Sequence, residues 1–599
     1  MIDNLVKFAF SFATVADLLT NEKPPHLEKT ASESKQAIES NEPLNTEAEP
    51  LLNKNVNSSQ VPPPISTEAR SEIISKWLGI PRQAPLKVGV LLGNNLDTYD
   101  LTQATRMFSL IPDTEILTIA ETEDPVVTYE GVSILPDHTF EESLELDVLV
   151  IVANIGPDPS ISTYLRKVGP TIKKYIITIC QGSMVLAASG LLDGKQATTV
   201  KMLWPMTRMF SQVKWVKQAR FTHDGNIITT SGATAGLDGI LYAVQLLYGE
   251  KVAHTLAEIS EYKWNSDPSH DPFTDLAEEF PIFPSIFIPV SPSFNLINAS
   301  LGLITLFTTV STNIGALILL QLREIVTMLS KTWQNEQYRT DREETSTRHK
   351  KRTKRGLPVL PKTIKDGLQS RVLRIPRQKS MNVGVLIGNN MDSFNMMSAS
   401  TMLSFIPDVH ILPIAENSDL IRTMDGFRIK PMYTFQDHVD LDLLVVPAGV
   451  GPNSATTSWL RRVIPSVKKY VLTICEGSMT LAATGYLNGK SATTAKSLWK
   501  STELFPQVKW SKRARFTHDE KFITTSGATA GLDGVFYTAQ LIYGEDVARK
   551  IAKVNEYDWN LDPNLDSFSN LDKEFDFVPH ILFPSFTSFR TNNTESDVI

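Results

Sequence analysis

Short apolar runs, separated by helical and polar stretches, recur along most of the chain. Lys87 to Leu92 is one such run and ends at Gly93-Asn94-Asn95. Leu146 to Val152 (Leu-Asp-Val-Leu-Val-Ile-Val) is almost wholly apolar, as expected of a central parallel strand covered on both faces. Tyr175 to Ile179 and Asn226 to Thr230 are further β-branched runs. Leu237 to Tyr248 has helical spacing, with Thr234 or Asp238 available to cap its start. Strands alternating with helices predict an α/β fold with a doubly wound, mainly parallel sheet. Ligands in such sheets bind at the carboxyl ends of the strands.

The pattern occurs twice, at an offset of 295 residues. Ile80-Pro81-Arg82-Gln83 returns as Ile375-Pro376-Arg377-Gln378, and the eleven residues from Thr229 to Gly239 return unchanged at Thr524 to Gly534. A gapless copy of this length suits a whole domain, not a solenoid unit. Two tandem domains are predicted, at 71–292 and 371–590. Around them lie a Glu-, Ser-, Asn- and Pro-rich tail (1–70, mostly disordered by composition), a joint (293–370) and a short C-terminal tail (591–599).

The joint changes the picture in one respect. No charged residue occurs from Phe280 to Leu322, and Ala299 to Leu322 is long enough to span a bilayer. A basic run, Arg348 to Arg355, follows. A membrane anchor with its basic side cytosolic accounts for both features. A linker helix followed by a solvated charge run accounts for them equally, and Thr305, Thr308, Thr309, Ser311, Thr312 and Asn313 favour it. A single span would also put two alike domains on opposite sides of a membrane, which an in-plane helix avoids.

The net charge of −8 gives no reason to expect nucleic-acid binding. Two cysteines in 599 residues exclude a disulfide scaffold and favour a reducing, cytoplasmic setting. No cluster has metal-ligand spacing and no phosphate loop is present, so no cofactor is expected.

The two cysteines occupy matched positions. Cys180 lies in Ile179-Cys180-Gln181-Gly182-Ser183-Met184, and Cys475 in Ile474-Cys475-Glu476-Gly477-Ser478-Met479. Each follows a strand-like run and precedes a small-residue helical stretch, the arrangement of a nucleophile elbow. A helix N-terminus beneath the thiol is expected to favour thiolate. The alternative is a small buried core residue.

With the later Thr-Ser-Gly-x-x-Ala-Gly-x-Asp pattern and the repeated Glu-Tyr-x-Trp-Asn-x-Asp-Pro segment (Glu261 to Pro268; Glu556 to Pro563), both copies resemble the ThiJ/PfpI family. This is the DJ-one superfamily of class I glutamine amidotransferase-like, flavodoxin-like folds, and the nearest likeness is to isonitrile hydratase-like and fungal members. The resemblance implies dimerisation, which the fusion would make an intramolecular pseudo-dimer. It also implies a cysteine nucleophile (Cys180, Cys475) and an acidic residue after the first strand. Asp100 fits in copy one, where a helix N-cap ahead of Leu101 to Phe108 is an equal alternative. Asn395 stands there in copy two, and Asp97 and Asp392 are fallback acids.

The third implied part is an oxyanion hole of backbone N–H groups. These would come from the residue after the cysteine (Gln181, Glu476) and from the loop after the central strand, where Gly449 in copy two faces Asn154 in copy one. A Cys-His dyad is not visible. His223 and His518 read as surface-turn residues, and Asp238 and Asp533 as helix-start residues. Glu476 could itself act on its thiol, with the effect of raising its pKa. The implied activity is lyase, hydratase or hydrolase chemistry on a small electrophile, with isonitrile hydration the nearest reaction and Cys180 the stronger centre. Glyoxalase- or deglycase-like action on 2-oxoaldehydes and a non-catalytic redox-sensing or scaffold role are the alternatives.

Overall fold

The computed structural model describes residues 67–82, 84–155, 158–279, 366–367, 369–370 and 380–571. The apolar stretch 299–322, the basic run and nearly all of the tail lie outside these residues. No described helix is long and apolar enough to cross a membrane.

Each repeat is built on a seven-stranded sheet. In repeat one the elements are β1 (Leu86–Leu91), α1 (Thr98–Ser109), β2 (Thr114–Ala120), β3 (His138–Thr139), β4 (Val148–Ile151), β5 (Tyr175–Thr178), α2 (Gly182–Ala188), β6 (Phe221–Asp224), β7 (Ile227–Thr230) and α3 (Ala235–Tyr248). The sheet order is β6-β7-β5-β4-β1-β2-β3, parallel except for the β6–β7 hairpin. Repeat two follows with β8 (Met381–Leu386), α4 (Ser393–Ser404), β9 (Val409–Ala415), β10 (Tyr433–Thr434), β11 (Leu443–Val446), β12 (Tyr470–Thr473), α5 (Gly477–Ala482), β13 (Phe516–Asp519), β14 (Phe522–Thr525) and α6 (Ala528–Tyr543). Its order is the same, β13-β14-β12-β11-β8-β9-β10. The two α/β domains expected from the repeat are therefore present. All four residues of β4, and all four of β11, are buried, which explains why these strands read as continuous apolar runs.

The two repeats pack on one another through α1 and α4. Every residue of α1 from Thr98 to Phe108 is buried, and so is every residue of α4. Helices buried all round need their polar side chains satisfied across the contact. Thr105 donates to Asp425 at 2.7 Å, Thr401 donates to Glu130 at 2.6 Å, and the hydroxyls of Thr98 and Thr401 lie 3.0 Å apart. The Arg106 guanidinium forms an ion pair with Asp392. A four-stranded ribbon crosses the same boundary, with Ser133–Leu135 antiparallel to Arg428–Lys430.

Two expectations about helix starts change. The N-cap of α1 is Asp97, whose carboxylate accepts from the amides of Tyr99 and Asp100, so Asp100 lies inside the first turn. Asp238 and Asp533 are more than helix-start residues. Both are buried and paired, through Oδ2, with Arg220 at 2.9 Å and Arg515 at 2.8 Å. Thr234 gives no cap to α3, and its hydroxyl donates to the Glu556 carbonyl instead.

Candidate functional site

Both cysteines stand at a turn between a parallel strand and a short helix. Cys180 has φ 56° and Cys475 φ 58°, a left-handed conformation that costs a non-glycine residue on the order of 1–2 kcal/mol. The glycine two residues on is required by close approach. A Cβ at Gly182 would lie 2.2 Å from the Ile151 carbonyl oxygen, and one at Gly477 2.0 Å from that of Val446. The elbow is further held by a threonine hydroxyl on each cysteine carbonyl, Thr199 on Cys180 and Thr494 on Cys475, both at 2.9 Å.

The side chains around the two elbows differ. Cys180 is partly exposed, whereas Cys475 is 3% exposed. Burial pushes the Cys180 thiol well up, and the charges of Asp100, Asp97 and Glu556 add to it. The Gln181 backbone N–H opposes this by donating to the sulfur, but does not reverse it. The resting state is thiol, contrary to the expectation that a helix N-terminus would make it thiolate. Asp100 is wholly buried, and its carboxyl is also pushed well up, by burial first and then by Asp97. Both effects favour the protonated form of the carboxyl. Its Oδ2 has no hydrogen-bond partner among the described residues.

At the second elbow the acid's place is taken by Asn395, buried with neither side-chain polar atom bonded among the described residues. Burial pushes the Cys475 thiol up, Glu261 and Glu476 add to it, and the Arg106 cation of repeat one opposes it. Glu476 is itself pushed up to about 7 by burial.

The loop after the central strand keeps one shape in both repeats. Asn154 has φ 66° where Gly449 has φ 85°, so asparagine, among the residues most tolerant of this region, preserves the glycine's backbone. In both repeats the N–H at this position is already engaged by the side chain that follows the cysteine. Asn154 donates to Gln181 Oε1 at 3.1 Å, and Gly449 to Glu476 Oε2 at 2.8 Å. The fallback acids Asp97 and Asp392 are N-caps of α1 and α4, and Asp392 also holds Arg106. His223 and His518 are exposed, each with its ring against two tyrosines (Tyr175 and Tyr242; Tyr470 and Tyr537). A cavity of about 590 Å³ lined by Phe516, His518, Tyr537 and Trp559 includes neither cysteine.

Three site residues come from the opposite repeat: Glu556 at the first elbow, and Glu261 and Arg106 at the second. The two glutamates open the repeated Glu-Tyr-x-Trp-Asn segment, which was visible in the sequence without an assigned role. Arg106 carried no local signal.

The DJ-1/PfpI family model matches residues 86–245 and 381–537, more than half of the chain. Isonitrile hydratase of Pseudomonas putida is 32% identical over 182 residues, which cover 30% of this chain and 78% of that protein. The HTH-type transcriptional regulator CdhR of Pseudomonas aeruginosa is 33% identical over 144 residues, 22% of this chain and 41% of that protein. Among solved structures, a ThiJ/PfpI family protein from Pseudomonas syringae is 27% identical, with a TM-score of 0.29, covering 37% of this chain and 85% of that one.

Proposed function

The chain belongs to the DJ-1/PfpI family, and on that premise we propose that repeat one is a cysteine-dependent enzyme acting on a small electrophile by isonitrile hydratase-like chemistry. The observation that carries this reading is the wholly buried Asp100, whose carboxyl is pushed well up by burial and lies close enough to act electrostatically on a partly exposed elbow thiol.

An isonitrile carbon accepts a nucleophile and a proton at the same atom, and this site holds both. The Cys180 S–H bond breaks as sulfur bonds the terminal carbon of R–N≡C, and Asp100 relays a proton to that carbon, leaving a thioimidate. Water then adds to the carbon, the C–S bond breaks, and the proton returns to sulfur. The product is the N-substituted formamide, so the balance is one isonitrile and one water. Gln181 fits the same scheme. Anchoring its Oε1 on the Asn154 N–H leaves Nε2 as the donor end of the carboxamide, available to developing charge on the substrate nitrogen.

A second reading concerns repeat two, and the lack of an acid at Asn395 favours it. We propose that this repeat is a non-catalytic partner. Incubation with an alkyl isonitrile, followed by NMR of the products, tests the main proposal. Formamide produced by the native chain and absent with Cys180→Ser is expected. Lactate from methylglyoxal in place of formamide from isonitrile would move the assignment to 2-oxoaldehyde chemistry.

A further inference from the structure

Each elbow is closed by a glutamate from the other repeat. Glu556 follows the helix Glu545–Val554, is wholly buried, and has φ 50°, so its backbone is held in an unfavourable region by its surroundings. Its carboxylate sits in repeat one. Oε2 accepts from the Gly232 N–H at 2.7 Å and the Ser231 hydroxyl at 2.9 Å, and Oε1 accepts from the Lys201 N–H at 3.0 Å. The fit depends on glycine, since a Cβ at Gly232 would lie 2.2 Å from the carboxylate carbon. Glu261 makes the mirror-image set with Gly527, Ser526 and Lys496 in repeat two.

The groups that Glu556 binds lead directly to the cysteine. Lys201 ends the segment in which Thr199 holds the Cys180 carbonyl, and its ammonium donates to Thr198 Oγ1 at 2.8 Å and to the Ala219 carbonyl at 2.7 Å. The Ser231-Gly232 turn opens the way into α3, and the same carboxylate fixes its Gly232 amide and Ser231 hydroxyl. The charge of Glu556 also bears on both Cys180 and Asp100. A carboxylate accepting two amides and a hydroxyl is a rigid clamp.

We propose that Glu556 is a positioning residue for Cys180, so that the first site is complete only when the second repeat is folded against it. This rests on the assignment of Cys180 as the reactive centre. It also gives repeat two a function that does not need its own thiol to react.

The test is alkylation of the full-length chain by iodoacetamide from pH 7 to 10, read separately at Cys180 and Cys475 by peptide mass spectrometry. Glu556→Gln removes a negative charge that bears on Cys180, so the Cys180 profile is expected to move to lower pH, with alkylation at least about threefold faster at pH 9. The Cys475 profile should stay where it is. Glu261→Gln should move the Cys475 profile and leave that of Cys180. A purely structural role would perturb both thiols together through loss of fold. Glu556→Asp keeps the charge and shortens the arm, so it should hold the Cys180 profile near the native pH while lowering isonitrile turnover. An unchanged Cys180 profile in Glu556→Gln, with native circular dichroism, would overturn the proposal. The readout needs no substrate, so its failure is separable from a failure to turn over isonitriles.

Discussion

The two elbows share a backbone and differ in chemistry. Their cysteines have φ values of 56° and 58°, their following glycines lie against the same strand carbonyl, and their threonine clamps have equal lengths. Yet one thiol is acted on by the buried Asp100 carboxyl and is partly exposed. The other faces an amide, a trans arginine and a second carboxylate, and is sealed. The contrast shows that the elbow is a property of the fold, carried by glycine and sheet geometry. On the proposed reading, reactivity is set by the surrounding side chains, which differ while the elbow stays.

The largest expected effect comes from making the first site resemble the second. Asp100→Asn removes the proton relay and should lower isonitrile turnover by about 10²–10⁴-fold, measured as formamide formation. The thermal midpoint should hold or rise, since a buried carboxyl is replaced by an amide.

Next is the Arg106–Asp392 ion pair, which crosses into the second site. Arg106→Leu leaves Asp392 buried without its cation, which should cost about 3–5 kcal/mol in urea unfolding. It should also slow Cys475 alkylation, because Arg106 lowers that thiol's pKa.

A smaller, pH-dependent effect is expected at Glu476. Its carboxyl titrates about 7 in the folded chain and near 4.5 when unfolded. Between these values the native state holds a proton that the unfolded state has released, so stability is full below the lower value and is lost as pH rises through the upper one. Glu476→Gln, the side chain of repeat one, should therefore raise stability at pH 8 by up to about 3 kcal/mol and have little effect near pH 4. The smallest effect is expected of Asn395→Asp. With Arg106 in place and the thiol sealed, it should restore no measurable turnover to a chain lacking Cys180.

The mainly parallel α/β sheet, the duplication and both elbows were legible because they rest on local signals: continuous apolar strands, a gapless repeat, and glycine after cysteine. Asp100 was singled out by the family resemblance, which implies an acid after the first strand. The start of its helix was not legible, since Asp97 and Asp100 both suit a cap and nothing local marks Thr98, Thr102, Thr105 and Arg106 as buried. They are buried because α4 covers them, a contact some 300 residues away in the chain. For the same reason Glu556, Glu261 and Arg106 could not be placed. A residue that acts across an interface leaves no spacing pattern within its own domain. Asn154 read as a departure from glycine, but its left-handed backbone makes it an equivalent, which the residue name alone does not reveal.

The central claim is that one of the two matched cysteines reacts. Its most direct test is to incubate the full-length chain with an isonitrile, quench it during turnover, and measure by peptide mass spectrometry which cysteine carries the thioimidate adduct. An adduct on Cys180 alone, with turnover retained in Cys475→Ser and lost in Cys180→Ser, is predicted. An adduct on Cys475, or turnover that survives Cys180→Ser, would contradict it.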